Sequence, residues 1–171
     1  MTMTPKQLVC VQIAEFVKRE IPGFARAEGG LPPDFLLYEW DAELPTRLFW
    51  LVNTGSAAWR GFTYEVCWQP AAAEGLTTDY APAGCEAPEG IYRLGTLMRL
   101  PRGKHDFWWR WDFTDDPEEQ LEAARALLPF AQSAVTEYVV PFLRDMAEFC
   151  RTGMKSAALL AVEAHRRALE S

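Results

Sequence analysis

At residues 48–52 the chain reads LFWLV, five apolar positions in a row. A strand with one face in water alternates apolar and polar residues, whereas a strand that is covered on both faces is apolar throughout. The stretch therefore predicts a central strand that is buried on both sides of a sheet.

The segments on either side of this stretch alternate with a period of two. Residues 38–41 read YEWD and residues 62–68 read FTYEVCW, with a large apolar side chain at every second position. Such alternation is typical of half-buried antiparallel strands. Two more strands are predicted at residues 91–99 and 105–113, which gives five strands in a meander.

The last two of these strands are predicted to form a hairpin. Residues 101–104, PRGK, suit a tight turn, and a register that pairs Leu100 with His105 follows from it. In this register Arg99 faces Asp106 and Arg93 faces Asp112, and opposite charges that face each other across strands are stabilising. The same register sends four aromatic side chains to the core, those of Phe107, Trp109, Trp111 and Phe113.

The polar face of this hairpin carries most of the predicted ligand-binding residues. Tryptophan together with arginine is the composition of stacking platforms and of interface hot spots. The predicted set is Trp108, Arg110, Arg93, Arg99 and Glu65. The alternative is a sheet face that is closed over by a helix, on which the charges pair with one another and Trp108 covers the backbone at Gly95.

Helix signals stand before the sheet. Thr4 is a suitable N-cap, Pro5 takes the first helical position, and Gln7 completes a capping box. The pair at residues 22–23, PG, ends this helix near Ile21.

Helix signals also follow the sheet. Asp116 and Pro117 begin a helix that should stop or kink at Pro129, with a second kink or break predicted at Pro141. A last helix is predicted at residues 154–169, after Gly153. Together these elements predict an α+β fold in a single domain, residues 1–171, with an N-terminal helix, about five antiparallel strands, and two or three C-terminal helices packed on one face of the sheet. A long loop at residues 69–90 is predicted to be functional or mobile, or to contain a short element.

The charge and hydropathy of the chain limit the classes of partner. Its 171 residues include 17 basic and 24 acidic ones, for a net charge of -7, so its field repels polyanions and we expect no nucleic-acid partner. No uninterrupted apolar run is long enough to cross a bilayer, and the first residues lack the pattern of a signal peptide. We therefore expect no membrane association and a cytoplasmic location.

No constellation of catalytic or metal-binding residues stands out. The two histidines are interpreted as a residue beside a turn, His105, and a solvated residue of the last helix, His165. The four cysteines show no paired spacing; they are Cys10, Cys67, Cys85 and Cys150. No metal site and no cofactor are predicted.

The hairpin region resembles an uncharacterised bacterial family, domain-of-unknown-function family 4304. The likeness lies in RLGTL at residues 93–97, followed after a turn by GKHDFWW at residues 103–109. The order of elements is similar over residues 4–149. The resemblance implies a helix before the sheet and helices after it, and it implies no catalytic residues, because the family has no established activity.

Two functions are compatible with these observations. The first is a non-enzymatic binding module of a bacterium, for example of an immunity or regulatory type, that binds a small molecule or a protein through the Trp108 face or the loop at residues 69–90. It could also form a homodimer. The alternative is a small-molecule enzyme, for example a hydrolase, with Arg93, Arg110, Asp112 and Glu65 lining a pocket on the polar face of the sheet. The absence of a catalytic motif favours the binding module.

Overall fold

An antiparallel sheet between an N-terminal helix and a group of C-terminal helices forms the fold, which confirms the predicted α+β class. The computed structural model describes residues 3–26, 36–40, 44, 46–55, 60–70, 91–104 and 106–171. Its strands are β1 (Phe24–Arg26), β2 (Leu36–Trp40), β3 (Thr46–Asn53), β4 (Gly61–Pro70), β5 (Ile91–Arg93) and β6 (Trp109–Arg110). Its helices are α1 (Pro5–Glu20), α2 (Leu94–Leu97), α3 (Pro117–Ala134), a π-helical segment (Val135–Val139), α4 (Val140–Thr152) and α5 (Ala157–Glu170).

The central position of residues 48–52 is confirmed. Strands β1 to β5 lie side by side in chain order, so β3 is in the middle, and β6 pairs with the beginning of β4. All five side chains at 48–52 are at most 2% exposed. On one face of the sheet Trp50 stacks on Tyr38 at 5.0 Å and meets Tyr64 edge-on at 5.1 Å, forming an aromatic core.

The helices cover the face of the sheet that carries this aromatic core. The buried stripe of α1, which includes Val9, Ile13 and Val17, packs in the same cluster as Trp50 and the buried residues of α3 and α4. The Tyr64 hydroxyl donates a hydrogen bond to the carbonyl of Ala131 at 3.1 Å, which joins β4 to α3. Leu37, Phe49, Leu51 and Cys67 alternate with these core residues, so they face the opposite side of the sheet, where they are also buried.

The helix starts agree with the sequence prediction. The Thr4 side chain and Gln7 form the capping box of α1, which ends at Glu20. The Asp116 carboxylate accepts hydrogen bonds from the amides of Glu118 and Glu119 at the start of α3. Helix α5 begins three residues later than predicted, because the Ser156 hydroxyl caps it.

The predicted hairpin at residues 91–113 is wrong. After Arg93 the chain leaves the sheet and makes the one-turn helix α2, and β6 pairs with Gly61 and Phe62 of β4 instead of β5. Helix α2 ends in a Schellman motif, in which the amide of Leu100 donates to the carbonyl of Gly95 at 2.9 Å and that of Arg99 to Thr96 at 3.0 Å. Arg99 takes the left-handed position of this motif with a φ of 56°, a conformation that costs an L residue about 1–2 kcal/mol.

The loss of the hairpin changes the partners of the charged residues. Arg93 forms an ion pair with Asp106 and not with the predicted Asp112, which pairs with Arg110. Trp109 and Trp111 are buried as predicted, but Phe113 is 73% exposed, because β6 ends at Arg110. His105 lies outside the described residues, as do residues 71–90 of the predicted loop, whose first two positions belong to β4.

Pro129 and Pro141 do not end the helix, so the predicted stop or break does not occur at either residue. Helix α3 continues through Pro129, and the π-helical segment joins it to α4, in which Pro141 is the second residue. In a π turn each amide donates to the carbonyl five residues earlier, and here the amide of Val140 donates to the carbonyl of Val135. The chain therefore remains helical next to Pro141, which has no amide hydrogen. By length and composition alone, the continuous helix Pro117–Thr152 would suffice to cross a bilayer. The sequence prediction did not identify this helix, because it considered only uninterrupted apolar runs. The buried residues of the helix, such as Leu128 and Leu143, belong to the core that contains Trp50, as in a core helix of a globular domain.

Candidate functional site

The five predicted site residues lie in three different places. Glu65, Arg93 and Trp108 belong to one network of polar contacts, on the face of the sheet opposite to the helices. Arg110 lies in β6, and Arg99 lines a cavity beside the helices. The predicted set is therefore not a single site.

The polar network joins β4, β5 and the segment that leads to β6. Glu65 lies directly opposite Arg93 in the register, with 3.9 Å between the carboxylate Oε1 and the guanidinium Nε. The Nη1 atom of Arg93 is 2.9 Å from Oδ1 of Asp106, which also accepts a hydrogen bond from the Trp108 indole at 3.1 Å. The Thr63 hydroxyl donates to the carbonyl of Phe107 at 2.6 Å and ties the same segment to β4.

The surroundings of Glu65 shift the pKa of its carboxyl group. Burial raises the pKa of this carboxyl, while Arg93 and a hydrogen bond to Asn53 lower it and Asp106 raises it. Its side chain is 14% exposed. The two carboxylates of the network thus share the one guanidinium of Arg93. The charges are paired as in the alternative to a ligand site, but the helices cover the other face of the sheet.

Arg110 stands at the edge where β6 meets β4. Its guanidinium pairs with Asp112, and both side chains are partly exposed. Residue 61, which faces Arg110 in the register, is a glycine because a Cβ there would lie 2.5 Å from the carbonyl oxygen of Trp109. This close approach lets the short strand β6 pair with β4.

The sequence did not predict a second group of residues, which we call the Trp68 cavity. Its volume is about 360 Å³, within the range of small-molecule sites. Trp68 and Tyr92 stack with their ring centroids 5.7 Å apart, and the Arg166 guanidinium lies over the Tyr92 ring at 4.7 Å. The other lining residues are Met146, Phe149, Lys155, Glu163, Arg167 and Glu170.

The Trp68 cavity is locally basic in an acidic protein. Lys155 pairs with Glu163 at 2.6 Å, and Arg166 pairs with Glu170 at 2.9 Å. The Arg167 guanidinium has no ion pair or side-chain hydrogen bond within the described part of the chain, so one positive charge of the lining is not compensated. Burial raises the pKa of Tyr92, and the hydrogen bond and charge of Arg166 oppose this shift, so the phenol is neutral at physiological pH.

The Trp68 cavity was not predicted from the sequence because its residues come from distant segments. Trp68 and Tyr92 read as ordinary strand residues, and Lys155, Arg166 and Arg167 read as the surface of a helix. The one available signal was the basic cluster near the end of the chain. His165, which was expected to be solvated, is partly buried, and its Nε2 atom lies 2.8 Å from the carbonyl oxygen of Leu100.

The described residues form neither a metal-binding group nor a disulfide. In that part of the chain no three His, Cys, Asp or Glu side chains come together in a group that could hold a metal ion. Cys10, Cys67 and Cys150 form no disulfide with one another, and Cys85 lies outside the described residues.

Comparisons of the chain with protein-family models, with curated proteins and with solved structures give no significant match. The resemblance to family 4304 therefore remains a prediction.

Proposed function

We propose that this protein is a non-enzymatic binding module whose ligand, held in the Trp68 cavity, joins a planar ring to a carboxylate or phosphate group. The observation that carries the proposal is the lining itself, in which stacked aromatic rings adjoin the uncompensated charge of Arg167. A planar ring gains from stacking on an aromatic side chain, and an anion gains from a charge-assisted hydrogen bond to a guanidinium. In a cytoplasmic protein with a net charge of -7, such a locally basic cavity selects small anions over nucleic acids.

The proposal moves the ligand away from the Trp108 face of the sequence prediction. Arg93, Asp106 and the Trp108 indole already bond to one another there. A ligand that bound to these groups would have to break existing contacts before it gained new ones. The Trp68 cavity offers both an open volume and a cation with no ion pair among the described residues.

Calorimetric titration with matched pairs of compounds tests this proposal. One pair is naphthalene-2-carboxylate and its neutral carboxamide, and the other is adenosine 5′-monophosphate and adenosine. We expect the anion of at least one pair to bind about 10-fold more tightly than its neutral partner, because a charge-assisted hydrogen bond contributes about 1.5–3 kcal/mol. The pair that shows the difference distinguishes a carboxylate ligand from a phosphate ligand.

Two variants locate the binding. Arg167→Gln should remove the preference for the anion, whereas Arg125→Gln, which changes an exposed arginine of α3, should leave it unchanged. If neither pair binds, or if Arg167→Gln binds as the parent protein does, the proposal is wrong.

The enzyme alternative rests on a different observation, the raised pKa of buried Glu65 beside Arg93 and Asp106. Raised carboxyl pKa values occur at sites of general acid catalysis and also in structural ion pairs. A hydrolase with its site on this face would lose turnover in Glu65→Gln and keep it in Arg167→Gln. The two functions therefore separate in the same pair of variants.

A further inference from the structure

A second cavity, which we call the Arg99 cavity, lies on the other side of helix α5. Its volume is about 320 Å³, and it opens between the end of α2, the π-helical segment with the first turns of α4, and α5. The apolar part of its wall includes Pro141, Ala158, Ala161 and Val162.

Three charged side chains line this apolar cavity without pairing. They are those of Arg99, Glu137 and Asp145, and none of them has an ion pair or a side-chain hydrogen bond within the described portion of the chain. Glu137 is exposed and Asp145 is half-buried. The two carboxylates are eight residues apart, about 12 Å along a helix, so they do not form a joint site for one cation.

Arg99 occupies a backbone position that is better suited to glycine. Its φ of 56° lies in the left-handed region, and glycine is the usual residue at this place in a Schellman motif. The arginine therefore brings a guanidinium to the cavity at a conformational cost that glycine would avoid. Strained positions of this kind cluster at ligand sites.

The opposite wall contains a second unusual backbone feature. Glu137 and Tyr138 belong to the π-helical segment, and both line the cavity. Short π-helical turns inside α-helices are rare and often occur at functional sites. Strain at Arg99 and the π turn thus meet at one cavity, although they lie about 40 residues apart in the sequence.

We propose that the Arg99 cavity binds a free α-amino acid with an apolar side chain. The planar guanidinium of Arg99 matches a carboxylate in a bidentate contact, and the half-buried Asp145 carboxylate accepts hydrogen bonds from the α-ammonium group. The side chain of the ligand then lies on Pro141, Ala161 and Val162. A zwitterion satisfies the unpaired charges of Arg99 and Asp145 at once, which a simple anion or cation cannot do, while the exposed carboxylate of Glu137 stays in water.

Calorimetric titration of the full chain with L-leucine tests the proposal. Two matched compounds serve as controls: L-leucinamide lacks the carboxylate, and 4-methylpentanoate lacks the ammonium group. We expect leucine to bind at least about 10-fold more tightly than either control, because each control leaves one charge of the cavity unpaired. A titration in which leucine does not saturate, or does not exceed its controls, overturns the proposal.

Variants of the two charged residues decide whether binding occurs in this cavity. Arg99→Gly should weaken leucine binding at least about 10-fold while the melting temperature stays equal or rises, because glycine relieves the left-handed conformation. Asp145→Asn should reduce the preference for leucine over 4-methylpentanoate. Arg144→Gln, at an exposed position of α4 outside the lining, should leave affinity unchanged. Parental affinity in both Arg99→Gly and Asp145→Asn would exclude the Arg99 cavity as the leucine site.

Discussion

At the scale of single residues, two tyrosines of the sheet differ in what their buried hydroxyl groups contact. The hydroxyl of Tyr64 donates to the carbonyl of Ala131 at 3.1 Å. The hydroxyl of Tyr38 is buried and has no hydrogen-bond partner among the residues that the structure describes. A buried hydroxyl without a partner loses its bonds to water and gains nothing in return, at a cost of about 1–3 kcal/mol.

This difference predicts opposite effects of the same substitution. Tyr38→Phe should raise the free energy of unfolding by about 1 kcal/mol or more, because it removes a hydroxyl that the fold leaves unsatisfied. Tyr64→Phe should lower it by about 1 kcal/mol, because a hydrogen bond is lost. Urea denaturation at pH 7 measures both changes. A loss of stability in Tyr38→Phe would mean that a buried water molecule satisfies its hydroxyl.

The pH dependence of stability provides a control for this pair. Burial raises the pKa of Tyr38 to about 12 and that of Tyr64 well above 10, while an unfolded tyrosine titrates near 10. The contribution of each neutral phenol is fully present below pH 10 and is lost as the pH rises from 10 toward the folded-state pKa. The loss reaches at most about 1.4 kcal/mol per pH unit for each group. Tyr38→Phe should make the decline above pH 10 shallower than in the parent protein.

At the scale of elements, the two prolines of α3 differ in how much they destabilise the helix. Pro117 takes the first helical position, where no backbone hydrogen bond is lost, whereas Pro129 lies inside the helix and leaves the carbonyl of Arg125 without its usual donor. We expect Pro129→Ala to stabilise the protein by up to about 3 kcal/mol. Pro117→Ala should change stability by no more than about 1 kcal/mol. Thermal and urea unfolding of the two variants provide the comparison, and equal effects would show that the helix adjusts around Pro129 without strain.

The elements that the sequence predicted well are those whose signals are local. The capping box at Thr4 and the apolar run at 48–52 each lie within a few residues, and both α1 and β3 follow them. The hairpin prediction was wrong for two reasons. The left-handed residue that follows α2 is Arg99, so the glycine that usually signals a helix end is missing, and β6 pairs with the distant Gly61. The site was predicted less well for the same reason. Arg99 alone of the predicted set lines one of the two described cavities, since each cavity needs α5 to pack against distant segments.

At the scale of the whole molecule, helix α5 separates the two cavities and forms a wall of both. Only one of its residues, Leu159, is fully buried, whereas α1 and α4 each bury five. Val162 packs against the core as a partly buried residue. Polar contacts near the surface add to these, such as the contact of His165 with Leu100 and the hydrogen bond from Arg102 to the carbonyl of Leu169. Elements with few buried apolar contacts open at a smaller free energy than the core.

Because α5 buries fewer residues than α1 and α4, we expect α5 to open independently of the sheet. In hydrogen exchange measured by mass spectrometry, the amides of α5 should exchange faster than those of β3 and α4. Leu159→Ala should accelerate exchange in α5 about 30-fold or more, because truncation of a buried leucine costs at least about 2 kcal/mol, while exchange in β3 stays unchanged. The neighbouring Leu160→Ala, at a position that is 47% exposed, should have little effect on either. If Leu159→Ala instead accelerates exchange in β3 and α5 alike, α5 unfolds together with the core, and a ligand could not enter either cavity by opening this helix alone.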